Sequence, residues 1–100
     1  MKMYILILKD VPTGHAINSA AHAALACYLK FRDTSAMHEW LTSFKKVSCK
    51  VTPEELDAAK EAASDFVTIT ESNLDGVVTA VAFCPRENWP SIFKTFKLWK

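Results

Sequence analysis

The sequence predicts an α/β domain in which helices cover both faces of a sheet, a three-layer α/β/α arrangement. The sheet is expected to be mixed and four-stranded, with the last strand antiparallel to the rest. Three observations support this prediction: an apolar run near the N-terminus, apolar residues at helical spacing after it, and two β-branched segments joined by a short loop. One hundred residues, half of them apolar, fit a single domain over 1–100.

The first half of the chain predicts a strand, two helices and a second strand. Residues 3–8 are all apolar, which is typical of a strand buried on both faces. An alanine-rich helix is expected from Gly14 to about Phe31, with Thr13 as its N-cap. A second helix is expected to end at Lys45-Lys46, and residues 47–51 form the second strand. The core face of the first helix is predicted to contain Ile17, Ala20, Ala24, Tyr28 and Phe31.

The second half predicts one more helix and an antiparallel pair of strands. Thr52-Pro53-Glu54-Glu55 combines a capping box with proline at the first helical position, so a helix should run from there to about Ser64. Residues 66–70 and 77–83 are expected to be strands, and the loop between them is too short for a parallel crossover. A short helical piece through about Lys94 and an apolar tail that packs back on the domain should follow.

Composition excludes several classes of protein. No apolar run approaches the ~20 residues of a membrane span, and no signal-peptide cleavage site is present, so we expect a cytoplasmic protein with no membrane partner. The three cysteines are separated and lie in apolar segments, which predicts reduced, buried thiols. Residues 1–50 carry seven Lys/Arg and three Asp/Glu, against five and eight in residues 51–100. The first half of the chain is thus more basic than the second, which permits a nucleic-acid partner.

Three polar side chains share one face of the first predicted helix. His15, Ser19 and His22 fall within an arc of roughly 60°, opposite the predicted core face. The simplest interpretation is the solvated face that any amphipathic helix has, and the alternative is a functional stripe. No metal site and no cofactor are expected, because the two histidines lie about 10 Å apart along the axis and helical zinc ligands favour neighbouring turns.

The same helix resembles a signature of the type II peptidyl-tRNA hydrolases. Residues 14–24, Gly-His-Ala-Ile-Asn-Ser-Ala-Ala-His-Ala-Ala, are similar to that family's Gly-Lys-aliphatic-Ala-x-Gln-x-x-His-Ala-Ala. Three further features resemble the family and follow in the same order: Trp40, the basic pair with the strand over 45–51, and the tail over 93–98. The resemblance covers nearly the whole chain and implies a four-stranded mixed sheet with one antiparallel strand.

Several positions depart from the family's pattern. His15 stands in place of a lysine and Ser19 in place of a glutamine, while His22 keeps the family's histidine. Glu71 stands where an aspartate is expected, and Asp75 lies near the position of a threonine. The chain is in this respect similar to a related group of bacterial domains that share the fold and whose activity is not established.

The resemblance implies hydrolysis of the ester that joins a peptide to the 3′ end of tRNA. This reaction needs a positioned water, a general base and stabilisation of the tetrahedral intermediate. The hypothesis is that His22 or Glu71 orients the water and that His15 or Asp75 assists proton transfer, with Ser19 in the same site. Four basic side chains are expected to contact phosphates: Lys9, Lys45, Lys46 and Lys50. Each set also has a purely structural interpretation. The lysines at 45–46 are typical of a helix end, and residues 71–76 are typical of an ordinary polar turn.

Two other functions stay open at this point. The first is a non-enzymatic module that keeps the fold and binds a small molecule, a nucleotide or a protein. The second is a hydrolase of another ester or amide, although Ser19 in mid-helix lacks the strained turn that nucleophilic serines occupy. A homodimer is a further possibility, since type II hydrolases are often dimers. Its interface could use the apolar residues near the C-terminus, Trp89, Phe93, Phe96 and Trp99.

Overall fold

The computed structural model describes all residues, 1–100, and has one open mixed sheet with helices on both faces. The strand order is β3-β4-β1-β2-β5. None of the helices has the length and apolar character that a membrane span requires. In chain order the elements are β1 (Met3–Leu8), α1 (Thr13–Phe31), α2 (Ser35–Trp40), β2 (Lys46–Val51), α3 (Pro53–Ala62), β3 (Phe66–Glu71), a first 3₁₀ helix (Ser72–Leu74), β4 (Val77–Phe83), a second 3₁₀ helix (Ser91–Thr95) and β5 (Lys97–Leu98).

The sheet has five strands, so the prediction of four is wrong. β1 pairs parallel with β2, and β4 pairs antiparallel with both β1 and β3, which confirms the predicted reversal. The additional strand is β5, which pairs antiparallel with β2. The C-terminal tail does pack back on the domain, but it does so by adding this strand. Two residues are too few to leave a periodic pattern in the sequence.

Local signals set the start of α3 but not that of α1. Thr52 Oγ1 accepts the Glu55 amide at 3.1 Å, and Glu55 Oε1 accepts the Thr52 amide at 2.9 Å, so the predicted capping box is confirmed. At α1 the predicted cap is wrong, because the N-cap is Pro12 and the helix begins at Thr13 with no side-chain cap. The first helical hydrogen bond is donated by Ala16. The three amides before it therefore have no helical partner.

The second helix is shorter than its apolar spacing predicts. α2 ends at Trp40, and the chain then leaves the helix through Phe44, whose φ of 55° lies in the left-handed region. Glycine is the usual residue at such a helix end, and a bulky side chain there costs about 1–3 kcal/mol. The Phe44 amide donates to Trp40 O at 2.9 Å, and the two rings meet edge-on at 5.3 Å. The ring is thus held at the surface, 56% exposed.

Each face of the sheet has its own apolar core. On one face, Leu6 and Phe83 pack with α3 and with the C-terminal aromatic residues. On the other face, Ile5 and Ala80 pack with α1 and α2. Three of the four aromatic residues offered above as an interface are buried in the first core: Trp89, Phe93 and Phe96.

The three cysteines are free and buried, as predicted. Burial raises the pKa of Cys27 to about 12 and that of Cys49 to about 11, because a thiolate would be poorly solvated in the core. Burial also raises the pKa of Cys84. These thiols therefore act as small apolar side chains near neutral pH.

We expect the free energy of unfolding to fall as the pH rises from 9 to 11. A thiol of the unfolded chain ionises near pH 9.0, while Cys27 in the folded chain keeps its proton to about pH 12, so high pH favours unfolding. This stability is fully present below pH 9 and is lost as the pH rises toward the folded-state pKa. Cys27 should account for about 1–2 kcal/mol of the loss. Urea unfolding across this range should show a shallower decline for Cys27→Ala, and identical declines would contradict the assignment.

Candidate active site

A cleft of about 250 Å³ opens where β1 ends and where α1 and α3 begin. Its walls are formed by residues 8–12, by Pro53 and Leu74, and by residues 77–79 at the start of β4. In open α/β sheets, ligands bind beyond the carboxyl ends of the parallel strands. The cleft lies in that position, at the ends of β1 and β2.

A β-bulge in β4 changes the direction of one side chain beside this cleft. Ile69 of β3 pairs with Ala80, but the next pair is Thr70 with Val78. Thr79 is therefore an extra residue with no partner in β3, which is the definition of a bulge. Val78 packs toward the α3 side, while Ala80 belongs to the α1 side. Bulges of this kind re-aim side chains next to functional sites.

The bulge brings Thr79 against Ser19 of α1. Ser19 Oγ lies 2.9 Å from Thr79 Oγ1, and the two side chains are 2% and 0% exposed. The prediction that Ser19 belongs to a stripe facing away from the sheet is therefore wrong. In a pair of hydroxyls only one O–H is used within the pair. Thr79 lies in the wall of the cleft, but its side chain has no surface accessible to solvent.

The sheet-facing side of α1 is rotated from the predicted one by about a quarter turn, at 100° per residue. Its buried residues include Ala16, Ser19, Ala23 and Cys27. Ile17, predicted to lie in the core, is 65% exposed. The other residues of the predicted core face are half-buried along the flank: Ala20, Ala24, Tyr28 and Phe31.

The two histidines lie on the flank of α1 that is turned toward the edge strand β3. Lys30, which lies between this flank and the sheet-facing side, donates to Phe66 O of β3 at 2.8 Å, so this side of α1 is the one turned toward β3. His15 is in the first turn and is half-buried, whereas His22, two turns later, is exposed. Only His15 is thus both near the start of the helix and partly shielded from water.

Glu71 reaches the same end of the molecule from β3. It is the last residue of that strand, and it faces α1 because Ile69, two residues earlier, packs in the α1-side core. One carboxylate oxygen accepts an amide of the following 3₁₀ helix at 3.3 Å. Asp75 is exposed, with φ 56°. Glu71 and His15 therefore lie at the same end of α1 without a hydrogen bond between them, His22 and Asp75 lie at the surface, and none of the four lines the cleft.

Comparison with protein families establishes the relationship. The model of the family described as Peptidyl-tRNA hydrolase PTH2 matches residues 1–99. The chain belongs to this family. Comparison with curated proteins gives no match. The resemblance of the helix motif and of the C-terminal tail is therefore confirmed at the level of the family.

The four lysines proposed for phosphates lie at both ends of the sheet in this PTH2-family chain. Lys9 lines the cleft, and Lys50 lies at the same end because its neighbour Val51 pairs with the last residue of β1. Lys46 begins β2, about 13 Å from Lys50 along the strand, and Lys45 precedes it. The four lysines therefore do not all lie at the cleft.

Thr79 lines the cleft and is not among the residues that the sequence singled out. A signal was present, since Thr79 is the only polar residue in the run Val77–Phe83. A buried hydroxyl needs a hydrogen-bond partner, so a lone polar residue in a core strand indicates a polar contact. The partner, Ser19, is 60 positions away in the sequence.

Proposed function

We propose that the chain is a cytoplasmic hydrolase of the ester bond in peptidyl-tRNA or aminoacyl-tRNA, with its catalytic groups where α1 meets the cleft. Membership of the PTH2 family supports this reaction class. The observation that carries the proposal is the buried hydroxyl pair of Ser19 and Thr79 at the cleft. A β-bulge turns Thr79 toward Ser19, and bulges are over-represented next to active sites, where they re-aim side chains.

The start of α1 can stabilise developing negative charge. No side chain caps the helix, its first turn has no acidic residue, and the amides of residues 13–15 make no helical hydrogen bond. Attack of water on an ester carbonyl produces an oxyanion, which backbone amides at a helix N-terminus stabilise well.

His15 and Glu71 are the side chains best positioned to move protons. Glu71, or His22 in the alternative assignment, orients the attacking water and accepts its proton. His15, or Asp75 in the alternative, protonates the leaving 3′ oxygen of the ribose. Glu71 and His15 are favoured because both lie at the N-terminal end of α1, whereas His22 and Asp75 are exposed.

The expected activity is release of the acylated amino acid from N-acetylaminoacyl-tRNA, a minimal peptidyl-tRNA, by the purified chain. Glu71→Gln and His15→Ala should each lower kcat by about 100-fold or more, since a positioned acid or base contributes 10²–10⁴-fold. The measurement is the rate of acyl release at saturating substrate between pH 6 and 8.

His38→Ala is the matched control for these variants. His38 is an exposed histidine on α2 whose ring nitrogen contacts Arg32 O at 2.8 Å, away from the cleft. This variant should keep the kcat of the unmodified chain. Absence of release by the unmodified chain at every pH from 6 to 8 would overturn the proposal.

A non-enzymatic binding module of the same fold is the second candidate, and one observation favours it. The candidate polar groups already have partners within the chain: Glu71 caps the first 3₁₀ helix, and Ser19 and Thr79 bond to each other. Tight tRNA binding without acyl release in the same assay would support this candidate.

A homodimer is a further proposal for this chain. Leu25 and Leu29 are 59% and 53% exposed on the outer side of α1, a helix with no charged residue between Thr13 and Leu29. An uncharged apolar helix face is typical of a contact with another protein surface. These residues replace the buried C-terminal aromatic residues as the expected interface.

A further inference from the structure

A groove runs along the α1 side of β2 and β5, beyond the strands that α1 covers. α1 packs mainly across β3, β4 and β1. Alternation in β2 directs Val47, Cys49 and Val51 into the core on the α3 side. The intervening residues of β2 therefore face the α1 side, where they form the floor of the groove: Lys46, Ser48 and Lys50.

Three hollows follow one another along this groove. The first, about 340 Å³, lies between Tyr28 and the Trp40–Phe44 ring pair, next to Lys46. The second, about 300 Å³, contains Trp99 beside Ser48. The third, about 370 Å³, is surrounded by Lys50, Lys97 and Lys100, at the end of the sheet where the candidate active site lies. Aromatic rings and lysines therefore alternate along its length.

The lysines of the groove have no Asp or Glu side chain as a partner. No Asp or Glu lines any of the three hollows. Lys50 Nζ lies 4.5 Å from the Trp99 ring and donates to Lys100 O at 2.9 Å, and Lys46 Nζ lies 5.5 Å from the Trp40 ring. Lys97 pairs directly with Lys50 across the two strands, an arrangement that costs stability without a counter-charge. The groove is thus a positively charged surface.

Phe44 provides a second, independent observation. Its left-handed backbone is strained, and yet the residue is phenylalanine, with an exposed ring at the mouth of the first hollow. Glycine would end α2 without this strain. Strained residues of this kind concentrate at binding sites. An exposed aromatic ring beside lysines suits a flat base attached to a phosphate.

We propose that this groove binds a single-stranded RNA segment of a few nucleotides, with phosphates on the lysines and bases against the aromatic rings. The proposal rests on the proposed function, since it names the part of a tRNA-linked substrate that the chain holds outside the cleft. A duplex keeps its bases stacked and offers no free base face to Phe44 or Trp99. A second copy of this groove would place lysines against lysines across a two-fold axis.

The test uses fluorescence anisotropy with a labelled 12-nucleotide single-stranded RNA and with the corresponding duplex. The unmodified chain should prefer the single strand, with an affinity that falls as salt rises. Lys50→Gln and Lys97→Gln should each reduce the slope of log affinity against log salt by about 0.7. Lys94→Gln is the matched control, because Lys94 is exposed on the segment that covers the opposite face, and it should leave the slope unchanged.

Phe44→Gly separates binding from folding. Glycine relieves the left-handed strain, so the thermal midpoint should stay the same or rise, while the affinity for the single strand should fall about fivefold or more. Absence of salt-dependent single-strand binding, or binding that Phe44→Gly and Lys50→Gln leave unchanged, would overturn the proposal. A dimer in sedimentation velocity that Phe44→Gly dissociates would also overturn it, by assigning the groove to a second copy.

Kinetics distinguish this proposal from the hydrolase assignment. With N-acetylaminoacyl-tRNA, the groove variants should raise KM about fivefold or more and leave kcat unchanged, because they remove binding contacts that do not change in the transition state. Turnover with a KM that is insensitive to these variants would overturn the groove alone. RNA binding without any turnover would overturn the hydrolase and leave the groove standing.

Discussion

Deletion of Thr79, combined with Ser19→Ala, is expected to leave a folded chain that no longer hydrolyses peptidyl-tRNA. Thr79 is the one residue of β4 without a partner in β3, so its removal makes the pairs Ile69–Ala80 and Thr70–Val78 consecutive. Every other side chain of the strand then keeps its face. Ser19→Ala removes the hydroxyl that would otherwise be buried without a partner. Circular dichroism and acyl release measure the two parts of this result.

Deletion of Val81 is the control for this experiment. Val81 has a partner in both neighbouring strands, Leu6 and Thr68. Its removal would shift the register and exchange the faces of the residues before it, which a buried central strand does not tolerate. This chain should fail to fold. If deletion of Thr79 were equally damaging to the fold, the bulge would be a structural requirement and its link to the site would fail.

Phe83→Ala is expected to cost about 3–5 kcal/mol of unfolding free energy, as large-to-small changes of buried aromatic residues do. Phe83 is completely buried, and its ring lies 5.1 Å from that of Phe93, 5.5 Å from that of Phe66 and 6.2 Å from that of Trp89. The truncation would leave a cavity at the centre of this aromatic cluster. A domain of this size has about 5–15 kcal/mol in total, so this loss is a large share of its stability.

Urea unfolding of Phe83→Ala beside Val77→Ala measures this effect. Val77 begins the same strand and is 54% exposed. Its truncation should change the unfolding free energy by no more than about 0.5 kcal/mol. Comparable losses in the two variants would show that the aromatic cluster contributes little to stability.

The parts of the fold that the sequence predicted correctly are those with local signals. β1 is a continuous apolar run, and its predicted bounds are those of the structure. The start of α3 is encoded in the reciprocal hydrogen bonds of Thr52 and Glu55, which are only three positions apart. β5 could not be predicted because its existence depends on pairing with a strand about 50 positions earlier.

The orientation of α1 was missed because apolar residues surround the whole helix. Ile17 and Leu25 are larger than the alanines that contact the sheet, so a pattern weighted by hydrophobicity points to the wrong side. Small residues occupy the side of the helix that approaches the strands closely. Only the burial of Ala16, Ser19 and Ala23 shows which side that is.

The candidate site residues were proposed from the resemblance to a family and not from a local pattern. His15 and Glu71 lie at the same end of α1, and their roles stay a prediction. The pairing of Ser19 with Thr79 depends on a one-residue shift in strand register, which no local pattern reports. The sequence also did not show that Lys97 and Trp99 lie beside residues of β2, because that arrangement depends on the pairing of β5 with β2.

The strand order has a consequence for synthesis of the chain. β4 lies between β1 and β3, yet it is made after both of them. A nascent chain that stops near residue 76 has two strands separated by a missing one, and the apolar edge of its first strand has nothing to pair with. Folding must therefore wait for the last quarter of the chain, and products of premature termination are expected to aggregate rather than to form a smaller active domain.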